Sequence, residues 1–84
     1  MPIGYNNVKG KNDIMEIRLR ELRTEKGISQ IRLAMDLNVN QNSISRYESG
    51  LREPDYNTLI KIADYFKVSI DYLLYRTENP KLNT

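Results

Sequence analysis

Residues that stop and restart helices cut the stretch from Asp13 to Tyr75 into five short amphipathic segments. This punctuation limits the fold more than any other feature of the chain. The first segment has Asn12 or Asp13 as N-cap and Met15, Leu19 and Leu22 on one face, and Gly27 closes it in the left-handed position that glycine tolerates. Ser29 then caps a second helix with Leu33, Ala34 and Leu37 on one side; Arg32 stands where a capping box would need Glu or Gln. Asn38, tolerant of the left-handed region, ends it. Asn40 caps a third helix, Gln41 to Glu48, stopped by Ser49-Gly50. Pro54-Asp55 announces a fourth, Tyr56 to Phe66, with Leu59, Ile62, Ala63 and Phe66 together. Ser69 caps a fifth, Ile70 to Tyr75, carrying Leu73 and Leu74. Helices this short, joined by connections this brief, predict a compact all-α five-helix bundle.

The core comes from Leu19, Leu22, Leu33, Leu37, Ile44, Leu59, Ile62, Phe66, Val68 and Leu73. Eighty-four residues leave room for one core and no second. The expected organisation is a flexible N-terminal arm at 1–13, a domain at 14–75 and a flexible polar tail at 76–84. Without Cys or His the chain has no zinc finger, thiol nucleophile or histidine-based triad. No metal-ligand cluster or glycine-rich phosphate loop appears either, so no enzyme and no cofactor is expected. Neither a signal peptide nor an apolar run of membrane-spanning length is seen, which points to a cytoplasmic protein. Net charge is only +2, but residues 1–52 hold nine Lys and Arg against six acids, whereas the remainder is slightly acidic. A polyanion partner is compatible with that asymmetry, as is an ordinary solvated surface.

The third helix carries the functional information. At 100° per residue from Gln41, Ser45 falls at about 40°, Asn42 at about 100° and Arg46 at about 140°. Ile44 and Tyr47 fall on the opposite side, near 300° and 240°. A polar outer face chosen for helix stability alone would favour Glu and Lys. Gln, Asn, Ser and Arg are instead the residue types that read base edges: Gln or Asn on adenine N6 and N7, Arg on guanine O6 and N7. Three residues separate this helix from the second, the spacing of a helix-turn-helix, with the motif at about 29–48. Ala34 permits close approach, while Val39 and Ile44 fill the wedge.

The motifs Gly-Ile-Ser-Gln at 27–30, Ser-Ile-Ser-Arg-Tyr-Glu at 43–48, Gly-x-Arg-x-Pro at 50–54 and the run Leu59 to Leu74 resemble the lambda-repressor and Cro type of helix-turn-helix domain, the XRE family. The resemblance covers about residues 14–75. It implies that Gln41, Asn42, Ser45 and Arg46 read bases. It also implies that Gln30, Asn40 and Arg52 meet the DNA backbone, with Gln30 also buttressing the recognition helix. Arg23 and Glu48 match a pair that ties the first helix to the end of the third. Ile31 and Arg32 depart from the family's acidic or polar residues, and Arg32 either adds a phosphate contact or is solvated. Asn38 stands where glycine is common, and Glu53 weakens the positive field around Arg52.

The expectation is a sequence-specific double-stranded DNA-binding transcriptional regulator, a homodimeric repressor on a roughly palindromic operator. Its dimer surface would lie around Ile70, Leu74 and Tyr75. An antitoxin-type regulator, or a protein-interaction module that has lost DNA binding, are the alternatives. Tyr47, Tyr65 and Tyr72 sit where the pattern asks for core or rim, and Tyr56 could reach a phosphate. Lys9 and Lys11 belong to an arm that could reach the neighbouring groove or stay solvated.

Overall fold

A computed structural model describes residues 16–81. Among them the helices are α1 (Leu19–Lys26), α2 (Gln30–Leu37), α3 (Gln41–Ser49), α4 (Tyr56–Phe66) and α5 (Ile70–Leu73). The capping residues act as their chemistry requires. Ser29 Oγ accepts the Arg32 N–H at 3.0 Å, Asn40 Oδ1 the Asn42 N–H at 2.7 Å, and Ser69 Oγ the Tyr72 N–H at 3.0 Å. Asp55 Oδ1 does the same for the Thr58 N–H at 2.9 Å. Each satisfies an amide that has no partner within its own helix, a contribution of about 1 kcal/mol. Gly27, Asn38 and Gly50 close α1, α2 and α3 in the left-handed conformation.

Each helix contributes one side chain to the centre of the molecule: Leu19, Leu33, Ile44, Ile62 and Leu73 are all removed from solvent. Burying each is worth roughly 1.5–3 kcal/mol relative to exposure. Leu22, Ala34, Leu37, Tyr47, Ala63 and Val68 complete the core, joined by Ile17, which the helical patterns do not single out. Leu59 and Phe66 line its rim rather than its centre, as do Tyr65 and Tyr72. In the turn between α2 and α3, the Val39 N–H donates to the Ala34 carbonyl at 3.0 Å, and Val39 packs on the core beneath it. The small Ala34, only 5% exposed, lets the two helices meet.

Three expectations need correction. Helix α1 begins at Leu19, with Arg18 at the N-cap and no capping side chain; the expected caps Asn12 and Asp13, and Met15, lie outside the described residues. The reason is tertiary: the Arg18 N–H donates to the Leu73 carbonyl of α5 at 2.9 Å, tying the start of α1 across the bundle. Helix α5 ends at Leu73 rather than Tyr75, because Tyr75 turns into the left-handed region at φ 64°. There the Arg76 N–H bonds the Asp71 carbonyl at 2.8 Å. The tail, expected to fray, folds back as far as it is described. The Ser69 N–H donates to the Pro80 carbonyl at 3.0 Å and Arg18 Nη2 to the Thr77 carbonyl at 3.1 Å. The arm with Lys9 and Lys11 lies outside the described residues.

Candidate nucleic-acid interface

Ile44 and Tyr47 anchor one side of α3 in the core, at 0% and 6% exposure. Gln41, Asn42, Ser45 and Arg46 are all exposed on the other. Among the described residues, none of these four side chains donates to or accepts from another protein group within hydrogen-bond range. The face is therefore rigidly mounted and chemically uncommitted.

The mounting is a carboxylate with several donors. Glu48, at the far end of α3, has a fully buried side chain. Arg23 of α1 grips it with both arms, Nε to Oε2 at 2.6 Å and Nη2 to Oε1 at 3.1 Å. The remaining Arg23 nitrogen, Nη1, donates to the Ile28 carbonyl at 2.8 Å. Gln30 Nε2, at the start of α2, donates to Glu48 Oε1 at 3.0 Å, and Arg20 Nε approaches the same oxygen at 3.4 Å. Burial pushes the Glu48 carboxyl up, but the bonds from Arg23 and Gln30, with the Arg23 charge, outweigh it and hold the group below its ordinary value. The expected Arg23–Glu48 pair is thus present. Arg20 is an unforeseen third donor, one helical turn before Arg23 on the same face of α1.

The residues expected at the DNA backbone are more committed. Gln30 is half-buried and has one amide hydrogen on Glu48, leaving the other available outward. Asn40 is exposed and uses its side-chain oxygen to cap α3. Arg32 is drawn along its own helix to Asp36, with Nε to Oδ2 at 3.0 Å, so only its Nη groups remain free. Tyr65 of α4 donates to that same Asp36 oxygen at 2.5 Å. Arg52 donates from Nη1 to Ser43 Oγ at 3.3 Å and lies 5.9 Å from the centre of the Tyr47 ring. Ser43, at about 200° on the helix wheel, falls off the exposed stripe, so helical periodicity does not single it out. Asn40, Asn42, Ser43, Arg46 and Arg52 line one shallow recess.

On the expected dimer surface, Ile70 and Leu74 are partly buried and Tyr75 is 46% exposed. Ile70 and Leu74 pack against the core, and Tyr75 stacks on Arg18 with its ring centre 4.2 Å from the guanidinium carbon. The Tyr75 hydroxyl donates to Glu21 at 3.1 Å. The most exposed large apolar side chains lie elsewhere: Met35 on α2, Leu51 after α3 and Tyr56 on α4.

Two helices joined by a short left-handed turn, the second exposing a polar face, define a helix-turn-helix module. The chain belongs to the XRE-type helix-turn-helix family, whose model, described as "Helix-turn-helix", matches residues 19–73. That family is one of regulators rather than enzymes. The HTH-type transcriptional regulator ImmR of Bacillus subtilis (strain 168) is 42% identical over 66 residues, covering 79% of this chain and 52% of the relative. The HTH-type transcriptional activator BcrR of Enterococcus faecalis is 42% identical over 57 residues, 68% of this chain and 28% of the relative. The cryptic phage CTXphi transcriptional repressor RstR of Vibrio cholerae is 31% identical over 61 residues, 73% of this chain and 55% of the relative. The chain spans about half the length of ImmR. No helix among the described residues is long and apolar enough to cross a membrane.

Proposed function

We propose that this chain is a sequence-specific double-stranded DNA-binding regulator that places α3 in the major groove. The observation that carries this reading is the α3 face itself. Gln41, Asn42, Ser45 and Arg46 are exposed, and unpartnered among the described residues, on a helix whose opposite side is anchored by Ile44 and Tyr47 and whose last turn is held by Glu48. A base edge offers such side chains the hydrogen bonds that the protein does not. Gln30, Asn40 and Arg52, together with the free Nη groups of Arg32, face the flanking phosphates and fix the register.

One module of this size buries about 600–1,000 Å² on DNA, so useful affinity calls for two. A homodimer on a roughly palindromic operator, with half-sites about one helical turn apart, supplies the second. Relatives carry both activator and repressor in their names. We favour repression, since occlusion of a promoter asks nothing of the protein beyond the face it displays.

Selection from a randomised duplex pool at near-physiological salt tests the reading. Enrichment of a palindrome is the expected result, and its half-site spacing reports the geometry of the dimer. Recovery of no motif, with only weak salt-sensitive binding, would overturn it.

A further inference from the structure

Seven arginines fall among the described residues, and five of them face a carboxylate. Arg18 is within ion-pair distance of Glu21 and Glu78, Arg20 and Arg23 of Glu48, Arg32 of Asp36, and Arg76 of Asp71. Arg46 and Arg52 have no such partner among the described residues, and both line the recess with Asn40, Asn42 and Ser43. Acids are at hand in the sequence. Glu53 follows Arg52 without approaching it to ion-pair distance, and Asp55 is held by the Thr58 amide at 2.9 Å. The Asp55 charge acts on Arg52 only from beyond ion-pair distance, so the two guanidinium groups around the recess still repel each other modestly, and an anion between them relieves this.

We infer that Arg46 and Arg52 form a two-arginine clamp on one backbone phosphodiester, so that Arg46 grips the wall of the groove rather than reading a base on its floor. This rests on the DNA-binding reading and divides the face within it. On the helix wheel Arg46, at about 140°, sits between Asn42, at about 100°, and Ser43, at about 200°. Ser43 accepts from Arg52 Nη1 at 3.3 Å. Arg46 therefore occupies the edge of the face turned toward Arg52, while Gln41 and Ser45 occupy the other edge. The Ser43 hydroxyl and the Tyr47 ring hold the Arg52 guanidinium in place. A planar fork from each arginine suits the oxygens of a phosphodiester, and the clamp belongs to DNA of any sequence. Base reading is left to Gln41, Asn42 and Ser45.

The test is binding to the duplex that selection returns, and to a scrambled duplex, across a range of salt, for wild type, Arg46→Ala, Arg46→Lys and Arg52→Ala. Each Ala variant should weaken binding by a similar factor on both duplexes. Each should also lower the slope of log affinity against log salt, by up to about 0.9 for each half-site of the dimer. Arg46→Lys should keep most of the slope. Duplexes carrying one neutral methylphosphonate locate the phosphate: the same position in a half-site should weaken wild type most, each Ala variant less, and the Arg46→Ala/Arg52→Ala double variant not at all. An Arg46→Ala variant that relaxes preference at one base pair with its salt slope unchanged would overturn the clamp and leave DNA binding intact. Wild type that binds no duplex would overturn the DNA-binding reading, and the clamp with it.

Discussion

Arg23 of α1 and Glu48 of α3 meet through two hydrogen bonds, at 2.6 and 3.1 Å, behind the face that α3 turns outward. The carboxylate is fully buried and the guanidinium nearly so, at 14% exposure. A paired, parallel contact of this kind fixes angle as well as distance. With Gln30 and Arg20 on the same carboxylate, two helices, α1 and α2, converge on the last turn of α3.

Removing either partner should be far worse than removing both. Glu48→Ala or Arg23→Ala leaves a buried charge unpaired and should cost about 3–5 kcal/mol in chemical denaturation. A double replacement by Met and Leu should recover much of that loss, since the desolvation of two ions is no longer required. A double mutant as unstable as the sum of the single ones would contradict this account of the pair.

The same pair sets an acid limb to stability. The Glu48 carboxyl is lowered from its ordinary 4.5 in the folded protein, so the unfolded chain takes up its proton at higher pH than the folded one. The stabilisation is therefore complete above about pH 4.5 and is lost as pH falls through the lowered folded value. Melting temperatures between pH 7 and pH 3 should fall steeply at the acid end for wild type. Glu48→Gln should be less stable at neutral pH and distinctly less pH-dependent, and a parallel pair of curves would assign the acid limb to other carboxylates.

Arg18 holds the opposite corner together. It is 4% exposed, lies 3.9 Å from the centre of the Tyr72 ring, and donates to the Tyr72 carbonyl at 2.8 Å and the Thr77 carbonyl at 3.1 Å. Arg18→Ala removes both charge-assisted bonds and the stacking, and should cost about 3 kcal/mol. It should also release residues 76–81 to limited proteolysis before the bundle itself is cut. Unaltered resistance of that segment would mean that the Ser69–Pro80 hydrogen bond and the Arg76–Asp71 contacts hold it without Arg18.

What was legible in the sequence was local or periodic. Ser29, Asn40 and Ser69 announce helix starts because a short side-chain oxygen satisfies an amide two or three residues on. Gly27, Asn38 and Gly50 announce stops because they tolerate positive φ. The exposed face of α3 follows from 100° per residue and the anchors Ile44 and Tyr47. Local pattern does not distinguish Arg18 from the other basic residues, because its partners stand 54 and 59 positions away in the chain. Nor could the Ser43–Arg52 contact be read, since it depends on the path of the loop after Gly50. The early end of α5 depends in the same way on the tail turning back toward Arg18.

Lys67 is a stop that the sequence conceals. It closes α4 at φ 58°, a conformation that costs a side chain about 1 kcal/mol and glycine almost nothing. The Val68 N–H, bonded to the Ala63 carbonyl at 3.0 Å, and the buried Val68 side chain force the chain through it. Lys67→Gly should therefore stabilise the protein by about 0.5 kcal/mol, the relief being partly offset by the greater freedom of glycine when unfolded. A loss of stability in urea denaturation would show that the lysine side chain contributes more than its backbone costs.

Asn42 stands at the middle of the exposed face, and its backbone N–H already serves the Asn40 cap. Its side chain makes no contact that folding needs, so Asn42→Ala should leave the melting temperature within about 1 °C of wild type. Its amide is free to offer both a donor and an acceptor to one base, the pairing that suits adenine N6 and N7. On the selected duplex the substitution should cost about 1–3 kcal/mol of binding, with the loss concentrated at one base pair. Binding to scrambled DNA and the salt slope should stay as they were, because no phosphate contact is lost. Asn40→Ala should behave in the opposite way, lowering stability by about 1 kcal/mol through the lost cap and weakening binding on every duplex alike. If Asn42→Ala instead weakened selected and scrambled duplexes equally, Asn42 would belong with Arg46 and Arg52 at the backbone, and base reading would contract to Gln41 and Ser45.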